Sequence, residues 1–170
     1  ANLSAHKRGW DERWEEFSGW AEKGQRIKDE LLRLVDEDTR AFDRVMAALG
    51  MPKSTDAEKS ARSAALAAAN LGALEVPWQV MQTAFGAFEL IRAMAEQGNP
   101  ASASDAGVGA LCTRAAIRGA WLNVRTNASG VKDKAAIEQI MKDGARMDAD
   151  AARVEAEILA VVERKFFFRV

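Results

Sequence analysis

Residues 31–49 read LLRLVDEDTRAFDRVMAAL. Their apolar members Leu31, Val35, Phe42, Val45 and Leu49 recur at helical spacing, which predicts a helix that turns this stripe toward a core. Asp38 occupies the gap in the stripe, three residues after Val35 and four before Phe42. A helix that buries both neighbours carries the Asp38 carboxylate inward, while Asp36 and Glu37 project elsewhere. An inward carboxylate costs free energy unless it is paired, hydrogen-bonded or protonated. Two roles fit such a residue: a structural Asp satisfied by an arginine or a helix end, and a proton carrier.

Around this stretch the chain has 170 residues, 48% of them hydrophobic, and a net charge of -1. That is enough for one domain with a sizeable core. The near balance of charge leaves no electrostatic footprint for nucleic acid. Cys112 is the one cysteine, which excludes an intrachain disulfide and a thiolate metal cage and points to a reducing, cytoplasmic location. No apolar run approaches the roughly 20 residues needed to span a bilayer, and no secretory signal opens the sequence, so no membrane partner is expected.

Upstream, Trp10, Trp14 and Phe17 fall at i, i+4 and i+7, and Trp20 extends the face. This predicts a first helix whose aromatic stripe packs, in part against a partner chain. His6 has no second ligand at metal spacing; beside it, Lys7 and Arg8 are candidate contacts for an anion. The helix carrying Asp38 is expected to start after Gly24 and to close at Gly50 and Pro52. Thr55 and Glu58 match a capping box. They open an alanine-rich helix through Ala73 whose small side chains suit close packing inside a bundle. Pro77 is expected to break it and to occupy the first turn of the next helix, which carries Val80, Met81, Ala84, Phe88, Ile91 and Met94 and stops at Gly98.

Residues 98–109 read GNPASASDAGVG and predict a helix start with Ser104 or Asp105 as N-cap. The free N–H groups of such a start also suit an anionic or carbonyl ligand group, with Gly107 and Gly109 permitting close approach. Neither a dinucleotide fingerprint nor a Walker lysine is present. The stripe that follows, Gly109, Cys112, Ala116, Gly119 and Ala120, is small and expected to face inward. It ends in Asn123 and Asn127, four apart on one face. These amides fit two roles: mutual satisfaction across a helix or dimer interface, and hydrogen bonding to a ligand that carries both donors and acceptors. Lys132 to about Lys165 reads as a last long helix. Phe166 to Phe168 form an apolar tail that is an association liability if exposed. No strand pattern survives, so the fold class is all-α: a bundle of about five long helices completed by dimerisation.

The blocks LVDEDTRAF (34–42), MPKSTDAEKSAR (51–62), VPWQVM (76–81), GNPASASDAGVGA (98–110) and GAWLNVRTNASGVKD (119–133) together resemble the cyclodeaminase domain of formimidoyltransferase-cyclodeaminase and the related single-domain methenyltetrahydrofolate cyclohydrolases. The opening residues resemble the two-domain bacterial type. The resemblance implies a single helical domain over residues 1–170, acting as a homodimer or larger on a tetrahydrofolate derivative without a metal or redox cofactor. It implies conversion of 5-formimidoyltetrahydrofolate to 5,10-methenyltetrahydrofolate with release of ammonia. Hydrolysis of the methenyl compound and a non-catalytic assembly module stand as alternatives. The catalytic carboxylate of the resembling proteins is the second Asp of the LVDxD block, here Asp38. Asp36, Ser104, Asp105, Asn123 and Asn127 carry over as substrate-binding residues, and Lys7 and Arg8 as contacts for the glutamate tail of a polyglutamylated folate. An upstream formimidoyltransferase domain is a further implied partner. The family opens with a helix that begins in a glycine-rich PGGGS-like segment, which these residues do not include.

Overall fold

A computed structural model of the chain describes residues 1, 4 and 11–167. Among the described residues all regular structure is helical, as expected: α1 Trp14–Gly50, α2 Asp56–Phe85, α3 Ala87–Gln97, α4 Ala103–Ala128 and α5 Glu138–Phe167, with single 3-10 turns at Asp11–Arg13, Pro100–Ser102 and Ala135–Ile137. No described helix is long and apolar enough to cross a membrane. Lys7, Arg8, His6 and Trp10 lie outside the described residues, as do Phe168 and the side chains of Phe166 and Phe167.

The helix boundaries differ from expectation at four places, each for a local reason. Gly24 does not begin a helix but lies inside α1, whose 37 residues span about 55 Å. A Cβ at Gly24 would lie 2.9 Å from Leu90 Cδ2, so this glycine is where α3 comes close. Pro77 does not break α2; the interruption falls at Gly86, between α2 and α3. An internal proline deprives the carbonyl four residues earlier of its amide partner, and that carbonyl, Ala73's, instead receives Asn127 Nδ2 at 2.6 Å. Neither Ser104 nor Asp105 caps α4, which begins at Ala103. The capping contact belongs to Asn99, whose Oδ1 accepts from the Ala101 N–H at 3.1 Å in the 3-10 turn before it. The last helix starts at Glu138, after a 3-10 turn, and not at Lys132. The capping box forms as expected: Thr55 Oγ1 accepts from the Glu58 N–H at 3.2 Å and Glu58 Oε2 from the Thr55 N–H at 2.9 Å.

α1 packs on α2, α2 on α4, and α4 on α5, with α3 laid against α4 and α5. The main core gathers Leu74, Met81, Phe88, Ile117, Trp121, Val124 and Ile158. A smaller cluster of Leu34, Ala41 and Val76 joins α1 to α2. Trp121 rests on Gly144, where a Cβ would lie 2.4 Å from its Cζ3. Asp148 is buried and accepts from Arg114 Nη1 at 2.8 Å and from Arg118, tying α5 to α4. Glu157 of α5 accepts from Arg92 of α3 and from Arg153 Nη1 at 2.8 Å.

Three predicted faces are corrected. On α4 the large side chains Ile117, Trp121 and Val124 take the core, because they bury more apolar area than small ones. Cys112, Ala116, Gly119 and Asn123 therefore face outward. On α2, Ala69 is buried while Ala61, Ala64, Ala67 and Ala68 are exposed. On α1 the core side is Phe17, Leu34, Ala41 and Ala48, whereas Val35 and Phe42 are each 63% exposed and Leu32, Met46 and Leu49 are exposed beside them. The small Ala41 and Ala48 let α2 approach on that side, and the bulkier stripe is left outward. Asp38, expected inward, is exposed with it. The aromatic stripe splits too: Phe17 is buried and Trp14 is exposed.

Two glycines separate close packing from helix propensity. Gly144→Ala should cost about 1–3 kcal/mol, because the indole of Trp121 must shift. Gly72→Ala, where an added Cβ meets nothing within 4 Å, should gain about 0.4–1 kcal/mol by restricting the unfolded chain. Urea unfolding of both variants checks the contrast. A second expectation concerns acid. Hydrogen bonds from Arg92 first and Arg153 second hold the Glu157 carboxyl below its ordinary value of 4.5. The stability this contributes is full above that ordinary value and is lost as pH falls through the lowered folded value. Glu157→Gln should flatten the acid limb of a melting-temperature profile below about pH 5 and leave its neutral slope unchanged.

Candidate active-site cleft

α1, α2 and α4 enclose a cleft of about 380 Å³, and the residues lining it come from separate parts of the sequence. α1 supplies Asp38, Phe42 and Val45, α2 supplies Asn70 and Ala73, α4 supplies Asn123, Thr126 and Asn127, and the following turn supplies Ser129 and Gly130. Asn123 and Asn127 reach one cleft because they stand one helical turn apart. Asn70 Nδ2 donates to the Gly130 carbonyl at 3.0 Å, which pins the turn after α4 to α2. Thr126 Oγ1 donates back to the Leu122 carbonyl at 3.0 Å. Asp38 is the one ionisable side chain in this lining. It makes no hydrogen bond or ion pair among the described residues, whereas its neighbour Glu37 holds Arg40 at 2.7 Å. The cleft thus sets one unpaired carboxylate opposite neutral amides, a combination that can exchange a proton with a ligand and hydrogen-bond its polar edges.

Asp38, Asn123 and Asn127 are therefore brought together in one cleft. The other candidates are not. Asp105 lines a second cavity, of about 460 Å³, with Trp20, Gly24, Leu90, Met94 and Asn99. Gly24 and Asp38 are fourteen residues apart on α1, so the two cavities are separated by about 20 Å along that helix. Asp36 and Ser104 are exposed and line neither cavity. Asn70 is an addition that the sequence motifs do not single out. Its signal is nonetheless present as a lone amide in the otherwise apolar run ALAAANLGAL, residues 65–74. Among the described residues no group of three or more His, Cys, Asp or Glu side chains could hold a metal ion.

Fold and cleft together define an all-helical protein whose cleft lining carries one carboxylate and several neutral amides. The sequence profile described as formiminotransferase-cyclodeaminase matches residues 1–146, and the chain belongs to that family, which comprises formiminotetrahydrofolate cyclodeaminases and methenyltetrahydrofolate cyclohydrolases. A methenyltetrahydrofolate cyclohydrolase of Methylorubrum extorquens is 35% identical over 96% of this chain and 79% of its own length. The formimidoyltransferase-cyclodeaminase of Gallus gallus is 33% identical over 81% of this chain and that of Sus scrofa 31% identical over 79%; in each case the match spans 25% of the relative. In three dimensions the chain is similar to the crystal structure of a formiminotetrahydrofolate cyclodeaminase from Thermotoga maritima. The TM-score is 0.73 over 96% of this chain and 76% of that one, at 23% identity, which corroborates the fold.

Proposed function

We propose that the cleft around Asp38 binds a tetrahydrofolate derivative and acts on the one-carbon unit between its N5 and N10 nitrogens, as a formimidoyltetrahydrofolate cyclodeaminase. The observation that carries this reading is the meeting of Asp38 with Asn123 and Asn127 in one cleft. N10 attacks the formimidoyl carbon, N10 gives up its proton, the departing nitrogen gains protons, and ammonia leaves behind the 5,10-methenyl bridge. Asp38 takes the proton from N10 and returns one to the leaving amine, a contribution of about 10²–10⁴-fold. The amides orient the pterin, and holding N10 near the carbon supplies much of the remaining acceleration. A second reading, cyclohydrolase, is favoured by the Methylorubrum extorquens relative, 79% of whose length is matched against 25% for the Gallus gallus cyclodeaminase. In it water attacks the methenyl carbon at the same cleft. Absorbance of methenyl-folate, followed with the formimidoyl compound in one cuvette and the methenyl compound in another, separates the two by which signal rises and which falls.

The exposed apolar edge of α1, with Leu32, Val35, Phe42, Met46 and Leu49, borders the same cleft through Phe42 and supports a homodimer as the working form. Sedimentation at micromolar concentration should show a dimer. Met46→Glu, which adds charge to that edge outside the cleft, should shift it to monomer; a wild-type monomer would end the proposal. For the chemistry, Asp38→Asn should melt within about 0.5 kcal/mol of wild type, because an exposed, unpaired residue contributes little to folding. It should also retain folate binding and lose turnover by about 10²-fold or more. Near-normal turnover would remove Asp38 from the mechanism.

A further inference from the structure

We infer that Pro77 and Asn127 form one positioning device. The proline holds the Asn127 side-chain amide in a single orientation, so that its carbonyl oxygen is a fixed acceptor in the cleft, reserved for an N–H donor of the ligand. The identity of the ligand rests on the function proposed above; the device itself does not.

In an unbroken helix the N–H of residue 77 would bond to the carbonyl of residue 73. Proline has no N–H, and its ring crowds that carbonyl, yet α2 continues through Pro77 to Phe85. The Ala73 carbonyl, in a helix interior and part-buried, needs a donor from elsewhere, since an unmet buried acceptor is costly. Asn127 Nδ2 supplies it at 2.6 Å. Only the NH2 end of a side-chain amide can face a carbonyl oxygen, because oxygen against oxygen offers no proton. The Asn127 amide is thereby denied the flip that interchanges its two ends. Its Oδ1 accepts nothing from the described residues, while the residue lines the cleft that holds Asp38. Asn123, one turn earlier, has no such tether and is exposed, so it can present either end. The pair therefore divides the work: Asn123 adapts, and Asn127 discriminates in favour of a ligand N–H, such as those of a reduced pterin or of N10. Pro77, which does not line the cleft, acts through Asn127 alone.

Pro77→Ala tests this by returning the missing N–H to α2. That N–H can close on the Ala73 carbonyl and release Asn127. Removing a proline from a helix raises stability by itself, so the decisive quantity is a double-mutant cycle. The rise in melting temperature from Pro77→Ala should be larger in an Asn127→Ala background, where the Ala73 carbonyl is otherwise bare, than in wild type. Equal rises in the two backgrounds would overturn the device. In 15N spectra of the ligand-free protein, the side-chain NH2 of Asn127 should exchange slowly in wild type and at least tenfold faster in Pro77→Ala; the same rate in both would also overturn it. With tetrahydrofolate as probe, Pro77→Ala should weaken binding by about fivefold to tenfold, the size of one neutral hydrogen bond. KM should rise in step while kcat stays within about twofold, and the loss should vanish in the Asn127→Ala background. Unchanged affinity would remove the ligand half of the inference. If wild type itself fails to bind tetrahydrofolate, the functional reading falls and takes the ligand assignment with it, while the stability cycle still decides whether Pro77 and Asn127 are coupled.

Discussion

A thirty-residue helix with a proline in its interior has one carbonyl more than it has amides to serve it, and here the deficit is made good from α4. The bond from Asn127 to the Ala73 carbonyl is matched by one in the other direction, from Asn70 of α2 to the Gly130 carbonyl. The two fix where α2 meets the end of α4. On the same two helices Leu74, Val124 and Ala128 are buried in the main core, so apolar packing holds the helices that the polar bonds join. The floor of the cleft follows from that junction. Asp38 completes it from α1, which reaches α2 through the small residues Ala41 and Ala48.

Charge is distributed to match. The best-shielded ion pairs, Arg114 with Asp148 and with Glu155, lie between α4 and α5, and the more exposed Glu157 joins α5 to Arg92 of α3. Breaking a buried pair by removing one partner is more damaging than the pair's own net worth, so the Arg114–Asp148 contact resists piecemeal change and helps to keep α5 in place. The surface pairs along α1, such as Glu30 with Arg33 and Glu37 with Arg40, are local and contribute little. Among the described residues the cleft itself holds neutral amides and one carboxylate without a counter-ion.

Much of this architecture is legible in the residues, and the departures have physical causes. Helical spacing and the Thr55–Glu58 box locate real helices, and the four-residue step of Asn123 and Asn127 sets both amides on one face of α4. Periodicity identifies an apolar face but not what covers it. α1 has two such faces, and the stripe of Val35 and Phe42 is the one left outward. Local rules make Pro77 and Gly24 breaks; the Asn127 amide serves the carbonyl that Pro77 leaves without a donor, and the missing side chain of Gly24 leaves room for Leu90 while α1 runs on. The resemblance groups Asp105 with Asp38 as residues of one pocket, yet the rise of α1 sets their cavities far apart. A one-dimensional pattern does not encode that separation.

The seating of Trp121 on Gly144 also has an optical consequence. The chain has five tryptophans and no tyrosine, so its near-ultraviolet circular dichroism comes chiefly from indoles. Trp14, exposed to water, rotates through many surroundings, and its contribution averages toward zero. Trp121 is 6% exposed and is held by backbone with no side chain to yield, so it sits in one asymmetric field. The share of the near-ultraviolet band that Trp121 contributes is thus a signal of α4 docked on α5. It would fade in a state that keeps its helices but loses that docking, while the far-ultraviolet spectrum remained unchanged.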